Sequence, residues 1–308
     1  MSSSRRGSRW TRRLMGLAGA VALLGGLGVA TGVTASAAPA AHTHHRTAHP
    51  HGRFGVVPMH SGTAATKTHR APAAAGNLIY NGGPVQHNVS VYLIFWGSQW
   101  DSDGNGVQSY MQNLFGGLGT GSDTWSTVTS QYTDNSGSGP SFNGAVLAGS
   151  WVDDSGAAPQ AASQQDIANE AENGVQHFGI NGGTDVQMVV LSPSGTNPDN
   201  FPNAGFCAWH DWDGNVSYTN MPYVLDAGNG CGAGSVQSQL DGFSIVEGHE
   251  YAESLTDPQP SSGWVASDGE ENGDLCAWQN LGTINLPTGT FAMQPTWSNA
   301  AGGCAMSS

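Results

Sequence analysis

After Arg70 this 308-residue chain has no basic side chain other than histidine: all nine Lys and Arg lie at or before that position, while all 23 Asp and Glu lie at or after Asp101. The long C-terminal part is therefore a polyanion, which repels nucleic-acid phosphates and anionic lipid headgroups and excludes both as direct partners. Cations, peptides and neutral polymers remain. Without lysine there is no G-x-x-x-x-G-K nucleotide loop, and no G-x-S-x-G elbow occurs, so nucleotide-dependent and serine-hydrolase chemistry are disfavoured. No C-x-x-C pair supports a cysteine-rich zinc site. Beyond the N-terminal region no apolar run is long enough to span a bilayer.

What is present begins with an address. Arg5, Arg6, Arg9, Arg12 and Arg13 precede the apolar run LMGLAGAVALLGGLGVA and the small-residue site Ala35-Ser36-Ala37. Residues 1–37 read as a secretory signal peptide, with TRRLMGL leaving a twin-arginine variant open, so the protein is expected outside the cell and off the membrane after cleavage. Residues 38–75 hold seven of the eleven histidines among Ala, Thr and Pro without apolar periodicity. They read as a disordered linker or pro-segment. Residues 76–308 suffice for one large domain, expected to be a monomer.

Within that domain, VSVYLIFWG (89–97) and VQMVVLSP (186–193) have the continuous β-branched and aromatic character of buried strands. GAVLAGSWV (144–152) and MPYVLD (221–226) read as further strands. Helices are expected over 106–118, 124–132 and 164–178, the last opened near Ser163 and closed by Gly179. The alternation predicts an α/β domain with a mixed sheet and flanking helices, followed by a loop-rich part after Asp257. Four cysteines in an exported chain favour two disulfides, and of the three pairings the sequential one, Cys207 with Cys231 and Cys276 with Cys304, closes two local loops.

The stretch IVEGHEYAESLTDP (245–258) is expected to end a helix that begins near Ser235 and stops at Thr256-Asp257-Pro258. His249 and Glu253, four residues apart, project from one face and can converge on one ion, with Glu250 beside them. This is the H-E-x-x-H zinc helix with a carboxylate in place of the second histidine, a zincin-like active helix. A third ligand is expected from Glu271 in DGEENGDLC or from His210 in CAWHDWD, with Glu250 as the general base. Asp274 and Asp257 are expected to sit behind the ligands and orient them. The plainer alternative is a half-exposed, hydrogen-bonded polar helix face. Against it stands the density of carboxylates, which no basic residue can neutralise and which a cation would. Two further acidic patterns suit calcium: Asp101, Asp103 and Asn105 in DSDGNG, and Asp211, Asp213 and Asn215 in DWDGN. Both are incomplete as calcium loops, and both also read as Asx turns.

Taken together, YNGGPVQHNVSVYLIFWG, GFCAWH with MPYVLDAGNGCG, and GHEYAESLTDP with EENGDLC resemble, in this order, the phosphate-induced protein 1 or exordium-like family. The resemblance spans the mature domain and implies an extracellular, cell-wall-associated protein. It marks His249, Glu250, Glu253, Pro258, Glu271 and Asp274 as motif residues and the cysteines as disulfides. The lack of basic residues departs from the plant pattern and puts a plant-type partner in doubt. Two functions stand as expectations: from the metal motif, a secreted zinc-dependent hydrolase, expected to be a peptidase; from the resemblance, a non-catalytic extracellular protein that binds a wall polymer or partner through Trp- and Asn-rich loops and uses any metal structurally.

Overall fold

A computed structural model describes residues 55–60 and 76–308. The signal-peptide reading and most of the linker reading lie outside these residues.

The core is a six-stranded mixed sheet built from β1 (Val56–Pro58), β3 (Ser90–Trp96), β4 (Leu147–Asp153), β5 (Gly183–Leu191), β6 (Phe206–Trp212) and β7 (Val216–Met221), in the order β1-β6-β7-β5-β3-β4. β7, β5, β3 and β4 run parallel, β6 returns antiparallel along β7, and β1 lies antiparallel on the outer edge of β6. As the apolar run of β3 predicts, Leu93, Ile94 and Phe95 are fully buried, since helices cover both faces of the sheet.

Strand alternation assigns the layers. Helix α2 (Gln164–Phe178) covers one face, where His177 stacks on Trp151 and Gly174 lies against Ile94 and Met188. Helices α1 (Val107–Gly117) and α3 (Asp241–Thr256) cover the other, where Gln112 Nε2 donates to Ser150 Oγ at 2.9 Å and Phe115 meets Tyr251 edge-on. Helix α2 has the boundaries its sequence signals: Ser163 and Asp166 form a reciprocal capping box and Gly179 closes the helix in a left-handed conformation. Short antiparallel pairs complete the fold: β2 (Ile79–Tyr80) with β8 (Trp264–Val265), β9 (Gly282–Leu286) with β10 (Gly289–Met293), and β11 (Thr296–Ser298) with β12 (Gly303–Ala305). Both disulfides have the expected pairing, Cys207–Cys231 and Cys276–Cys304. Among the described residues no helix is long and apolar enough to cross a membrane.

Several boundaries differ from expectation. Residues 124–132 give only a short 3-10 helix, Ser126–Gln131. The strand expected at 221–226 lies earlier, at Val216–Met221, and a 3-10 segment, Val224–Cys231, follows it. The metal-motif helix starts at Asp241, not near Ser235, because the Asp241 carboxylate gathers the amides of Val236, Gln237 and Ser238 into a loop. Residues 55–60, assigned by composition to a disordered segment, supply strand β1.

Candidate metal centre

Helix α3 has no exposed side: every residue from Asp241 to Thr256 is buried, wedged among the sheet, α1 and the β9–β10 hairpin. A half-exposed polar face is therefore ruled out for His249, Glu250 and Glu253, which lie in the core at 0% exposure. Two further elements bring side chains to them. On β6, His210 points to the α3 side together with its cross-strand partner Thr219. The segment after Asp257 folds back over the helix and is pinned there by Asn272, whose Nδ2 donates to the Ala252 carbonyl and to Thr256 Oγ1, both at 2.7 Å. That anchor sets Glu271 and Asp274 beside the motif and lays the Gly273 backbone on the His249 ring, where a Cβ would meet the imidazole.

Two overlapping triads result, His210 with Glu250 and Glu253, and His249 with Glu253 and Asp274; in each, one ligand atom per residue lies within 4.8 Å of the others. In the first, His210 Nδ1 is 3.0 Å from Glu250 Oε2 and 3.6 Å from Glu253 Oε2. In the second, His249 Nε2 is 2.8 Å from Glu253 Oε1 and 3.5 Å from Asp274 Oδ1. Glu271 belongs to neither triad and reaches His210 Nε2 at 3.7 Å. Asp257 serves the backbone instead, accepting the amides of Ser261, Ser262 and Gly263 at the end of α3.

Hydrogen bonding leaves this cluster incomplete. The His249 Nε2 contact is short but misaligned, and both His249 nitrogens, Glu253 Oε2 and both Glu271 oxygens are buried without a hydrogen bond of acceptable geometry. The buried carboxylates Asp123 and Asp241, by contrast, are each satisfied by three backbone amides. Glu247, two residues before His249 and fully buried, likewise lacks a well-formed bond.

Electrostatics follow from the same geometry. Burial opposes the charged form of His210, but Glu250 and Glu253 outweigh it and push the imidazole up to about 9. His249 is raised well above its ordinary value in the same way, with Glu253 and Asp274 overcoming burial. Burial and then Asp274 raise Glu253 to about 7. Burial also lifts Glu271, helped by Glu253 and Asp257, and Glu247, helped by Glu250. The cluster thus holds more carboxylates than its two imidazoles can balance, and a divalent cation would relieve the repulsion.

The two acidic loops are differently engaged. Asp103 caps α1 by accepting the amides of Val107 and Gln108, Asn105 donates to the Tyr223 hydroxyl, and Asp101 is exposed. Asp213 accepts the amides of Asn215 and Val216 in the β6–β7 turn, Asn215 donates to Glu172, and Asp211 accepts from the Trp212 amide. These are the Asx-turn uses of such residues. Sequence reasoning assigned no role to Glu247, Asn272 or the Gly55–Val57 backbone. Glu247 was legible as one more acidic residue in the motif helix, whereas the other contacts depend on long-range folding.

Comparison of the chain with protein-family models, curated proteins and solved structures returns no match.

Proposed function

We propose that the protein is a metal-dependent hydrolase of the extracellular space, acting on peptides, with zinc held by His249, Glu253 and Asp274. One observation carries this reading: buried imidazole nitrogens and carboxylate oxygens converge without satisfying one another. Ligand atoms around a tetrahedral ion with bonds of about 2.0 Å stand about 3.3 Å apart, and the 2.8 Å and 3.5 Å separations from His249 Nε2 bracket that value. When bound, zinc lowers the pKa of a coordinated water and polarises a carbonyl. The chain's own part is proton handling. Glu250 accepts the proton from the attacking water, and His210, 3.0 Å from Glu250 Oε2, fixes the orientation of that carboxylate. Calcium is the weaker choice, because the cluster offers imidazole nitrogen while calcium takes oxygen ligands.

A second reading rests on the complete burial of the cluster. A structural site is closed, and every member of the two triads except Asp274 has a side chain without solvent exposure. In that case the protein is a non-catalytic exordium-like binder of a cell-wall polymer, with the ion as a staple. Metal analysis combined with two variants separates the readings. His249→Ala should lose the ion. Glu250→Gln should keep it, while hydrolysis of an unfolded protein substrate falls by a factor of about 100 or more. Full activity in Glu250→Gln, or full zinc occupancy with no hydrolysis across a peptide library, would leave only the binder.

A further inference from the structure

We infer that the outer edge of β6 is a peptide-binding groove, and that residues 55–60 occupy it as a resident strand which must leave before an extended peptide can enter. This deepens the hydrolase reading and rests on it only for the fate of the incoming peptide.

The topology makes the strand removable. β1 pairs with β6 alone, and the other five strands form a continuous sheet without it. Its position makes the strand obstructive. The Gly55 carbonyl accepts the His210 amide at 3.1 Å, and the Val57 amide faces Glu250 Oε1 at 3.4 Å, so the carboxylate assigned to proton transfer already confronts a peptide N–H. Gly55, at φ +61°, lies so close to the His210 ring and Glu271 that a Cβ would run into the imidazole.

The anchors of the strand are of a kind that another peptide can remake. Met59 donates its amide to the Gly205 carbonyl at 3.0 Å, and His60 donates its own to the Gly230 carbonyl at 2.7 Å. Trp278 Nε1 donates to the Pro58 carbonyl at 2.7 Å. On the peptide side all of these use backbone atoms, which is how an added strand gains affinity independently of its sequence. Selectivity then comes from the side-chain positions: glycine over His210, followed by apolar residues like Val56 and Val57, which are 9% and 0% exposed. The ligand class is an extended, glycine-containing apolar peptide laid antiparallel to β6.

Sequence supplies the means of release. Arg53, Lys67 and Arg70 flank the strand, and no Lys or Arg follows them, so trypsin can excise residues 54–67 as FGVVPMHSGTAATK but has no site in residues 71–308. The test treats the purified chain with trypsin, follows the fragment by gel filtration and mass spectrometry, and titrates the product with the same peptide carrying a fluorophore. The fragment should dissociate on dilution. The labelled peptide should bind the cut protein saturably and the uncut protein at least about tenfold more weakly, because the tethered strand competes at high effective concentration. A peptide with Gly55→Ala should also bind the cut protein at least about tenfold more weakly. Retention of the fragment, no binding, or equal binding of the alanine peptide would overturn the groove. If trypsin fails to cut, hydrogen exchange on the intact chain decides. The Val57, Met59 and His60 amides should exchange about a hundredfold faster than those of β3 and β5, and exchange in step with that core makes β1 an integral strand and ends the proposal. Peptide binding by cut, zinc-loaded protein that hydrolyses nothing removes the hydrolase reading while supporting the groove; hydrolysis that is lost in Glu250→Gln, from a cut protein that shows no saturable binding of the labelled peptide, does the reverse.

Discussion

At the scale of single residues, the molecule handles buried negative charge in two ways. Asp123, Asp241 and Asp257 are each surrounded by backbone amides, so their charge is met by peptide dipoles. The buried glutamates receive fewer amides: Glu253 accepts the Asp274 amide at 3.0 Å and Glu250 faces the Val57 amide at 3.4 Å, while Glu247 and Glu271 have no well-formed hydrogen bond to their carboxylate oxygens. Glu170, 2% exposed on α2, has one hydrogen bond from Asn173 at 3.0 Å, and burial, with Asp153 nearby, pushes it up to about 7. Its folded pKa is above its unfolded value, so its contribution is fully present below the ordinary glutamate range and is lost as pH rises through about 7. Glu170→Gln should therefore raise the melting temperature at pH 8, by an amount equivalent to about 1–2 kcal/mol, and change it little at pH 5. A thermal melt at the two pH values checks the sign. The pairing of His249 with Glu253 was legible at this scale, since H-E-x-x-E on one helix face needs only i, i+4 geometry. The positions of His210 and Asp274 were harder to read, and the sequence left His210 as one of two third-ligand candidates and Asp274 behind the ligands, because each depends on how a distant segment folds back.

At the scale of elements, legibility depended on which signals were local. The β3 and β5 runs and the capped α2 carry their information in contiguous residues, and the strand and helix formed where expected. Strand β7 did not read as one because its buried α3-facing positions, Ser217 and Thr219, are polar. β1 is three residues long, in a composition that argues for disorder, and its order comes from its partner β6. The start of α3 was misplaced because Asp241 caps the preceding loop from inside the first turn. That carboxylate accepts the amides of Val236 and Gln237 at 2.7 Å and of Ser238 at 3.0 Å. Asp241→Ala leaves these donors without their acceptor and should cost about 3 kcal/mol, while Asp241→Asn should lose about half as much. Denaturant midpoints with an unchanged m-value give the comparison.

At the scale of the whole molecule, the disulfides act on the site through the segments they tie. Cys207 lies three residues before His210 on β6 and joins Cys231, ten residues before α3, so this bond fixes the strand that carries one imidazole near the start of the helix that carries the other. Cys276 follows Asp274 and joins the C-terminal β12. Sequence separations of 24 and 28 residues make the two about equal in loop-closure terms, about 3 kcal/mol each. Paired Cys→Ser variants should thus lose similar stability, and both should weaken retention of the proposed metal, since each releases an element that carries a member of a triad. Calorimetry and metal analysis of the two double variants test this. The burial of α3 also has a kinetic consequence. An ion in the proposed site, where only Asp274 has any solvent contact, would exchange only when the protein opens, so a chelator would have nothing to grip in the closed state. Above a modest concentration, the rate at which it strips the site no longer depends on how much is added, and reports instead the opening frequency of the lattice of segments packed over the helix.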